Sequence, residues 1–543
     1  MPQPANMRRA VTLAAGALAC ALVQSGCAHS TQRWGTAHEL RIGITGEPSS
    51  LNPLFEWTQS GIDITQLYAE TLVGLDEHNH QIPLVAQRIP TRENGDIGRD
   101  GLTLTYRLRH DERFADGQPL TSRDVAFTYR AILDARNPVT EAQPYRNILW
   151  LKTPDRYTVV IRLRRPWAAA VAHFFAVSDF AYGILPAHVF QDDTNLTRAQ
   201  WNQRPFGSGP FRVISWRHGD SIELEPNPYA RRRPHMRRVT LKILPDLNTL
   251  FLELRTHAID LAALNNEQVV QARKLGGMSI VQTPKNNTDF LDFQTRRPPT
   301  DDPLVRRALV EAIDRREILR RIYLDMDRPA TTEEPDVLWA HDATIRQPDF
   351  DPKRAARDLD AAGWNLSRGV RSKNGAPMQV EFAYVNTSDE ARRLATQVQA
   401  DLRNLGVETI LRPYPAVLFF AAGPAGGIER GGRFNITYSD WFGGVDPEDS
   451  ETYTCDKLAP RGPNMVRWCN PAYDHLYELA SRSPALAARK NYFAGMQRLV
   501  RSATVSDFLA YTSTFTCVNP ALRGYAPNML FAFDEAENWD LVP

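Results

Sequence analysis

The alternation of residues 102–108 restricts the fold of this chain more than any other pattern in it. Apolar side chains occupy every second position and polar ones lie between them, which indicates a strand with one buried face. A turn follows at residues 116–119, DGQP. Thr121 then precedes Asp124 in a capping-box pattern, and apolar residues recur at helical spacing over 125–133. The segment predicts a strand, a tight turn and a capped amphipathic helix, as in an α/β domain.

The length of 543 residues exceeds what one hydrophobic core usually supports, so about three domains of about 150 residues each are expected. The apolar fraction of 43% and the charged fraction of 23% are those of an ordinary globular protein. Lys and Arg number 64 against 63 Asp and Glu, which gives a formal charge of +1. This balance gives no reason to expect a nucleic-acid partner.

The N-terminus predicts export from the cytoplasm. A basic start at residues 7–9 is followed by an apolar run at 10–23 that is too short to span a bilayer comfortably. Small residues then precede Cys27, an arrangement that resembles a bacterial lipoprotein cleavage site with Cys27 as the lipidated first residue of the mature chain. Gln24 stands where an aliphatic residue is usual, so ordinary signal cleavage stays open as the alternative.

Three cysteines remain outside the leader. In an oxidising compartment Cys455 and Cys469 can close a short loop through a disulfide, a closure worth about 3 kcal/mol. Cys517 is then expected to be a buried free thiol. A zinc site from these thiols and His475 is the alternative, but the chain has no close C-x-x-C pair that supports it.

Residues 66–134 resemble the signature region of the extracellular solute-binding family that includes the oligopeptide- and dipeptide-binding proteins of ABC importers. Two later segments resemble the same family, LVRRALVEAIDRREIL at 304–319 and WCNPAYD at 468–474. Their number, order and spacing make the resemblance specific over nearly all of the mature chain. The matched pieces of the first region are Tyr68, LVG at 72–74, PLVA at 83–86, DGLT at 100–103, YRLR at 106–109 and DGQPLTSRDV at 116–125.

The resemblance implies an α/β, two-lobed fold of the periplasmic-binding-protein type II kind, with three domains and a hinge made by two crossovers. The implied parts are a signal peptide at 1–27, a linker at 28–39, lobe I at 40–69, 202–284 and 506–543, an inserted domain II at 70–201, and lobe II at 285–505.

The resemblance also implies a function. The chain is expected to be the extracytoplasmic substrate-binding component of an ABC importer, a monomer without cofactor or metal that captures a peptide or peptide-like solute and delivers it to permease subunits in the membrane. The expected location is the periplasm, or the cell-surface side of the cytoplasmic or outer membrane, with a lipid anchor. The alternatives are a receptor for a sugar or metal chelate, a hydrolase on the same fold, and a sensor or chaperone.

Three further segments carry clear local signals. Residues 206–211 are glycine-rich, which predicts a close crossing of two segments before a hairpin of 211–216 and 222–225. Residues 248–261 predict an amphipathic helix. Asp302, followed by proline, predicts a helix N-terminus. The charged side chains expected in water on that helix are Arg306, Arg307, Glu311, Arg315 and Arg316.

Residues 434–455 form the most informative stretch that local structure does not explain. An exposed Trp441 beside two glycines and the Asp446 carboxylate can hold an extended solute through ring area, free backbone groups and charge pairing to an ammonium. A core tryptophan with a solvated acidic turn is the alternative. The candidate ligand-binding residues of this stretch are Tyr438, Ser439, Trp441, Gly443, Gly444 and Asp446.

In peptide-binding members of the resembled family, a carboxylate three residues after this tryptophan pairs with the peptide amino terminus. Here that position is Gly444, with Asp446 as the nearest substitute, which puts a dipeptide held by its free amino terminus in doubt. Two further candidates come from other strands. Glu47 lies in the break after the first strand, where open α/β sheets receive ligands, although a plain turn explains it as well. Gln294 stands where many relatives have asparagine.

Catalytic and metal sites find little support. The chain has no H-E-x-x-H, no G-x-S-x-G and no phosphate-loop lysine. His78 and His80 lie in a predicted turn, for which a solvated loop is a simpler interpretation than a metal site. The acidic group of Asp446, Glu448, Asp449 and Glu451 lacks the alternating ligand spacing of a calcium loop.

Overall fold

The structure, a computed structural model, describes residues 34–178, 180–421, 426–447 and 452–542. The predicted signal peptide and the lipidation of Cys27 lie outside these residues, as do Glu448, Asp449 and Glu451 of the acidic group. Among the residues that are described, no helix combines the length and the apolar character that crossing a bilayer demands.

Strands and helices alternate through most of the chain. The strands are β1 Glu39–Ile44, β2 Val73–Leu75, β3 Gln81–Pro83, β4 Thr103–Arg107, β5 Ile148–Asp155, β6 Thr158–Leu163, β7 Phe211–Arg217, β8 Ser221–Pro226, β9 Arg238–Ile243, β10 Leu261–Leu264, β11 Ser279–Phe293, β12 Arg328–Pro329, β13 Asn365–Ser367, β14 Val370–Lys373, β15 Ala376–Pro377, β16 Gln379–Val385, β17 Glu408–Tyr414, β18 Ile436–Phe442, β19 Ser506–Val518, β20 Leu522–Arg523 and β21 Asp540–Leu541. The α-helices are α1 Gln59–Gln66, α2 Ser122–Leu133, α3 Ala170–His173, α4 Leu247–Arg255, α5 Asn266–Leu275, α6 Pro303–Ala312, α7 Arg315–Arg321, α8 Pro352–Ala361, α9 Asp389–Arg403, α10 Ala416–Phe419, α11 Pro471–Arg482 and α12 Leu486–Ala503.

One large sheet organises the molecule. Its strand order is β17-β16-β18-β11-β19-β10-β1-β9-β8-β7, and β12 pairs with β19 at its side. β1 runs parallel to β9 and β10, and β16 runs parallel to β17 and β18. β11 is antiparallel to both β18 and β19. The two parallel portions are therefore joined through a pair of long antiparallel strands.

β11 and β19, of 15 and 13 residues, connect the two halves of this sheet. Their ladder pairs Thr283 with Thr514 on one side and Leu291 with Asp507 on the other. Between Pro284 and Thr288 the register shifts, so the intervening β11 residues bulge out of the ladder. The bulge lies where the chain passes from one half of the sheet to the other.

Separate apolar cores surround these strands. One core packs α2 against the small sheet β4-β6-β5. Another surrounds β1, β7, β8 and β9. In the other half of the large sheet, one core lies against α6, α8 and α9, and a different one lies against α11 and α12. Helices thus bury both faces of the sheet, as the mixed α/β pattern requires.

The strand, turn and capped helix predicted from residues 102–133 are confirmed. β4 occupies Thr103–Arg107, and α2 begins at Ser122 after the N-cap residue Thr121. The Asp124 carboxylate accepts hydrogen bonds from the Thr121 backbone N–H at 2.8 Å and from its hydroxyl at 2.9 Å. The capping box therefore fixes the direction in which the helix leaves the turn.

The glycine-rich entry to the predicted hairpin is confirmed as a close crossing. β7 and β8 form the hairpin, with Phe211 opposite Pro226. A Cβ atom on Gly207 would lie 2.1 Å from the Tyr68 carbonyl oxygen, and one on Gly209 would lie 2.7 Å from the Tyr68 carbonyl carbon. These two positions have no room for a side chain, which explains the glycines.

The predicted helix over residues 248–261 is wrong in its second half. α4 ends at Arg255, and His257 adopts a left-handed backbone conformation with φ of 60°. The chain then enters β10, which pairs with both β1 and β19. The periodicity of a short apolar run fits a helix or a strand equally well. Here the run forms a strand because it pairs with β1 on one side and with β19 on the other.

The helix predicted after Asp302 begins as expected, because the Asp302 side chain accepts a hydrogen bond from Leu304 N–H. Two of its charged residues were wrongly placed in water, since Arg306 is 3% exposed and Glu311 is 2% exposed. The Arg306 guanidinium donates to four backbone carbonyl groups, of Thr300 at 2.8 Å, Asp301 at 3.1 Å, Ala503 at 2.9 Å and Thr504 at 3.0 Å. It satisfies carbonyl oxygens at the end of α12 that would otherwise be unpaired.

Candidate functional site

A cavity of about 370 Å³ lies where β1 ends and where β11 pairs with β19. Ile44 closes β1, and the turn after it brings Thr45 and Gly46 to the cavity wall. Thr283 and Thr514, which lie opposite each other in the β11–β19 ladder, face the same space. The cavity therefore sits at the carboxyl end of a strand in an open sheet, the usual place for a ligand.

One carboxylate lines this cavity in the described part of the chain, that of Asp63 in α1. It accepts hydrogen bonds from the Ala532 backbone N–H at 2.9 Å and from the Gln59 side-chain amide at 3.3 Å. Burial raises the pKa of Asp63 to about 6, while the positive charge of Lys285 opposes the rise.

Lys285 is the corresponding cation of the wall and lies in the β11 bulge. Its Nζ donates to the Leu530 carbonyl oxygen at 2.8 Å and lies 5.3 Å from the centre of the Phe442 ring. Burial lowers the pKa of Lys285, and the negative charges of Asp63 and Asp534 oppose this effect. Among the described contacts, no direct hydrogen bond or ion pair joins Lys285 to Asp63.

The segment 441–444 is attached to the same bulge. β18 pairs with β11 so that Trp441 lies opposite Thr288. The Gly443 N–H donates to the Asn286 carbonyl oxygen at 3.1 Å, and the Asn286 side-chain amide donates to the Gly444 carbonyl oxygen at 2.5 Å. Asn286 follows Lys285 in sequence, so the double-glycine segment and the charged wall of the cavity are neighbours.

Asp446 has a partner within the chain. Arg489 Nη1 and Nη2 donate to the two Asp446 carboxylate oxygens at 2.6 and 2.5 Å, and both side chains are buried. The guanidinium also lies 4.8 Å from the centre of the Trp339 ring. Asp446 is thus part of a bidentate ion pair. Its predicted pairing with a solute ammonium stays a prediction, and such an ammonium would have to compete with Arg489 for the carboxylate.

Comparison with known proteins decides the family. Residues 82–460, more than half of the chain, match the model described as bacterial extracellular solute-binding proteins, family 5 Middle. The chain belongs to this family.

Two curated relatives illustrate what this family 5 protein is similar to. The oligopeptide-binding protein AppA of Bacillus subtilis (strain 168) is 24% identical over 518 residues, which cover 93% of this chain and 92% of the relative. Di/tripeptide-binding protein 2 of Pseudomonas aeruginosa (strain UCBPP-PA14) is 25% identical over 468 residues, which cover 81% of this chain and 84% of the relative.

Solved structures show the fold. The structure of AppA from Bacillus subtilis in complex with a nonapeptide has a TM-score of 0.75 at 22% identity, covering 93% of this chain and 99% of the other. NikA from Brucella suis in complex with Fe(III)-EDTA has a TM-score of 0.82 at 20% identity, covering 92% and 99%. The predicted α/β, two-lobed fold of the periplasmic-binding-protein type is therefore confirmed.

The remaining predicted contact residues of the family 5 protein all have internal partners. Glu47 accepts from the Trp216 indole N–H at 3.0 Å and from the Gly219 backbone N–H at 3.1 Å, so it holds the β7–β8 turn. Tyr438 donates towards Asp289 at 3.0 Å and Glu390 at 2.8 Å. Their roles in ligand contact stay predictions. Ser439 donates to Glu429 at 3.3 Å, and the Gln294 amide donates to the Met465 carbonyl oxygen at 3.1 Å.

Trp441 is less exposed than expected. Its ring is half-buried and packs against an apolar cluster that includes Tyr453 and Phe508. Its indole N–H is buried and has no acceptor among the described residues. The residue therefore presents part of its ring for an apolar contact.

The cysteines are arranged as the sequence suggested. Cys455 and Cys469 form a disulfide with an S–S distance of 2.12 Å, and Cys517 is a buried free thiol. Burial raises the pKa of the Cys517 thiol to about 12, which makes it a poor nucleophile. In the described ranges, no group of three or more histidine, cysteine, aspartate or glutamate side chains is placed to hold a metal ion.

Sequence reasoning missed Asp63 and Lys285. Asp63 sits in a helix whose apolar pattern has no unusual feature, so nothing in its surroundings marked it. Lys285 left one usable signal, because it continues the alternate positions of Val281 and Thr283 along a strand and so places a charge on an inward face. The two residues come together only through the tertiary fold.

Proposed function

We propose that this family 5 protein is the solute receptor of an ABC importer and that it captures a peptide or peptide-like solute. The observation that carries the proposal is the cavity of about 370 Å³ between the end of β1 and the β11–β19 pair. Two relatives are an oligopeptide-binding protein and a di/tripeptide-binding protein, which favours a peptide over other solutes.

The chemistry of the wall supports this assignment. A peptide backbone needs hydrogen-bond donors and acceptors in an otherwise apolar pocket. Thr45, Thr283 and Thr514 supply hydroxyl groups, and Phe531 and Phe533 supply apolar surface. We also assign direct ligand contact to Trp441, Gly443 and Gly444, whose segment neighbours the cavity through the contacts of Asn286 with Gly443 and Gly444. Glu47, Gln294, Tyr438, Ser439 and Asp446 are assigned to positioning through their internal bonds.

Capture by closure of the lobes is the mechanism we infer. Ala168 N–H donates to the Ser481 carbonyl oxygen at 2.8 Å, which joins two of the proposed domains. Phe531 lies in one apolar cluster with Val177 and Leu338, which come from the other two proposed parts. Contacts of this kind exclude water around a bound solute. The proposed division is 40–69, 202–284 and 506–543 for lobe I, 70–201 for domain II and 285–505 for lobe II.

The partners follow from the same proposal. The family is extracellular by definition, and we infer a periplasmic or cell-surface location with a lipid on Cys27. The chain has no nucleotide-binding motif, so the energy for transport comes from a partner ATPase while this protein binds, as a monomer, without chemistry. The closed form then docks on the permease subunits.

Native mass spectrometry tests the proposal. The mature protein is purified without denaturation and measured before and after partial unfolding and refolding, which strips a retained solute. We expect an adduct that is lost on stripping and that fragments as a peptide. The stripped protein is then screened with a peptide library by thermal shift, where a ligand at 100 times its Kd stabilises by about 2.7 kcal/mol.

Each outcome has a meaning. An adduct that fragments as a sugar or a metal chelate would keep the receptor role and remove the peptide assignment. Release of amino acids from library peptides would instead indicate a hydrolase. If stripped protein bound nothing and deletion of the protein left peptide uptake normal, the receptor role itself would fall.

A further inference from the structure

The cavity wall carries two opposite charges in the described part of the chain, Asp63 from α1 and Lys285 from β11. A wall with one carboxylate and one ammonium is neutral overall. It therefore favours neither a simple cation nor a simple anion, because each of these ligands leaves one wall charge in a desolvated site without a partner.

The two charges do not neutralise each other by contact. A chain of neutral groups separates them: Lys285 Nζ donates to the Leu530 carbonyl oxygen at 2.8 Å, and Gln59 donates both to that oxygen at 2.9 Å and to Asp63 at 3.3 Å. Lys285 Nζ has three N–H donors, of which the protein uses one in the described contacts. Donor and acceptor capacity therefore remains on both sides for a ligand.

The neighbouring 441–446 segment, which contacts Asn286, offers no unpaired carboxylate. Position 444 is a glycine, and Asp446 is paired on both oxygens with Arg489. A ligand ammonium that enters this cavity thus meets Asp63 as the available anion among the described lining residues. The volume, about 370 Å³, is near the lower end of the roughly 300–1,000 Å³ typical of ligand pockets.

We propose that the solute is a small zwitterion of dipeptide size, whose ammonium is bound by Asp63 and whose carboxylate is bound by Lys285. The inference rests on the proposed function and specifies its ligand. Asp63 then comes from the proposed lobe I and Lys285 from β11, at the boundary where the proposed lobe II begins, while the 441–444 segment of lobe II closes over the solute through ring and backbone contacts.

Isothermal titration with three related probes tests this assignment: the dipeptide Ala-Leu, N-acetyl-Ala-Leu, which lacks the ammonium, and Ala-Leu amide, which lacks the carboxylate. Blocking either end is expected to weaken binding to the native protein about tenfold to a hundredfold, as loss of a charge-assisted hydrogen bond does. Asp63→Asn should weaken Ala-Leu by a similar factor and leave N-acetyl-Ala-Leu within about threefold. Lys285→Met should weaken the binding of Ala-Leu by a similar factor and leave the binding of Ala-Leu amide within about threefold.

The controls separate this inference from the proposed function. Lys274→Met, at an exposed position on α5, should leave all three affinities unchanged. Circular dichroism checks folding, and the two blocked peptides test the idea on native protein if a variant does not fold. If blocked and free peptides bind equally, or if each variant weakens every probe alike, the charge assignment is overturned. If the protein binds long peptides but not Ala-Leu, the charge assignment is also overturned and the receptor role is left intact. The receptor role falls only if stripped protein binds nothing and deletion of the protein leaves peptide uptake normal.

Discussion

Replacing Arg489 with methionine isolates the energy of the ion pair behind the 441–446 segment. The Arg489 and Asp446 side chains are 7% and 9% exposed, and two hydrogen bonds join them. Methionine keeps an apolar stem of similar length against Trp339 but leaves the Asp446 carboxylate buried without its partner. Because breaking a buried pair from one side costs about 3–5 kcal/mol, we expect the free energy of unfolding to fall by about that amount.

Arg498 provides a matched control on the same helix, α12. It forms an ion pair with Asp342 at 2.6 Å, but its side chain is 60% exposed. Water and salt screen such a pair, so Arg498→Met is expected to cost about 1 kcal/mol or less. The difference between the losses in the free energy of unfolding of the two variants measures the effect of burial on an arginine–aspartate ion pair.

Urea unfolding followed by tryptophan fluorescence gives both free energies, and Trp339 supplies a local probe because the Arg489 guanidinium stacks on it. The double variant with Asp446→Asn should recover part of the loss, since it removes the unpaired charge. The reasoning is refuted if Arg489→Met lowers the free energy of unfolding no more than Arg498→Met does. It is also refuted if the double variant loses the sum of the two single losses, those of Arg489→Met and Asp446→Asn.

Three other predictions follow from separate parts of the fold. Replacing Cys455 and Cys469 by serine should lower the free energy of unfolding by about 3 kcal/mol in the oxidised protein and change nothing under reducing conditions, because the disulfide closes a short loop. Burial raises the pKa of Asp292 from 3.8 to about 7, so the folded state holds this proton more tightly and stability should fall as pH rises from about 4 to 7. In thermal unfolding, the difference in stability between pH 5 and pH 8 should be smaller for Asp292→Asn than for the native protein. An equal difference in the two proteins would contradict the assignment. Gly207→Ala should cost about 1–3 kcal/mol because its Cβ would meet the Tyr68 carbonyl oxygen, whereas Gly98→Ala, where the nearest atom is a flexible carboxylate oxygen at 3.1 Å, should cost clearly less in the same urea titration.

Local structure was predictable from the sequence where a pattern is contained within a few residues. The capping box of Thr121 and Asp124, the β7–β8 hairpin and the helix start at Asp302 all depend on neighbours in sequence. Such elements follow from short-range periodicity and capping chemistry, so they can be inferred without knowing the tertiary fold.

The failures have a tertiary origin. The helix predicted over residues 248–261 ended at Arg255 and Leu261 joined β10, because the sheet had a place for that strand between β1 and β19. Arg306 is buried because carbonyl oxygens at the end of α12, far away in sequence, needed donors. The candidate site was missed for the same reason, since its cavity gathers side chains from α1, β11 and the segment after β19. The local sequence pattern of any one of these segments does not indicate that the other two lie beside it in the fold.

The β11 bulge links the cavity to the 441–444 segment. Lys285, Asn286 and Asn287 lie between the two paired portions of the β11–β19 ladder, where the register shifts, while Asn287 remains paired with Phe442 of β18. Lys285 faces the cavity, and Asn286 binds the backbone of Gly443 and Gly444 through its carbonyl oxygen and its side-chain amide. Under the proposed function, a solute that draws Lys285 towards itself therefore acts one residue away from the contacts of Asn286 with Gly443 and Gly444. Because ladder hydrogen bonds are interrupted at this point, a change of backbone angles here costs less than elsewhere along the two strands, and we expect the lobes to rotate about these residues.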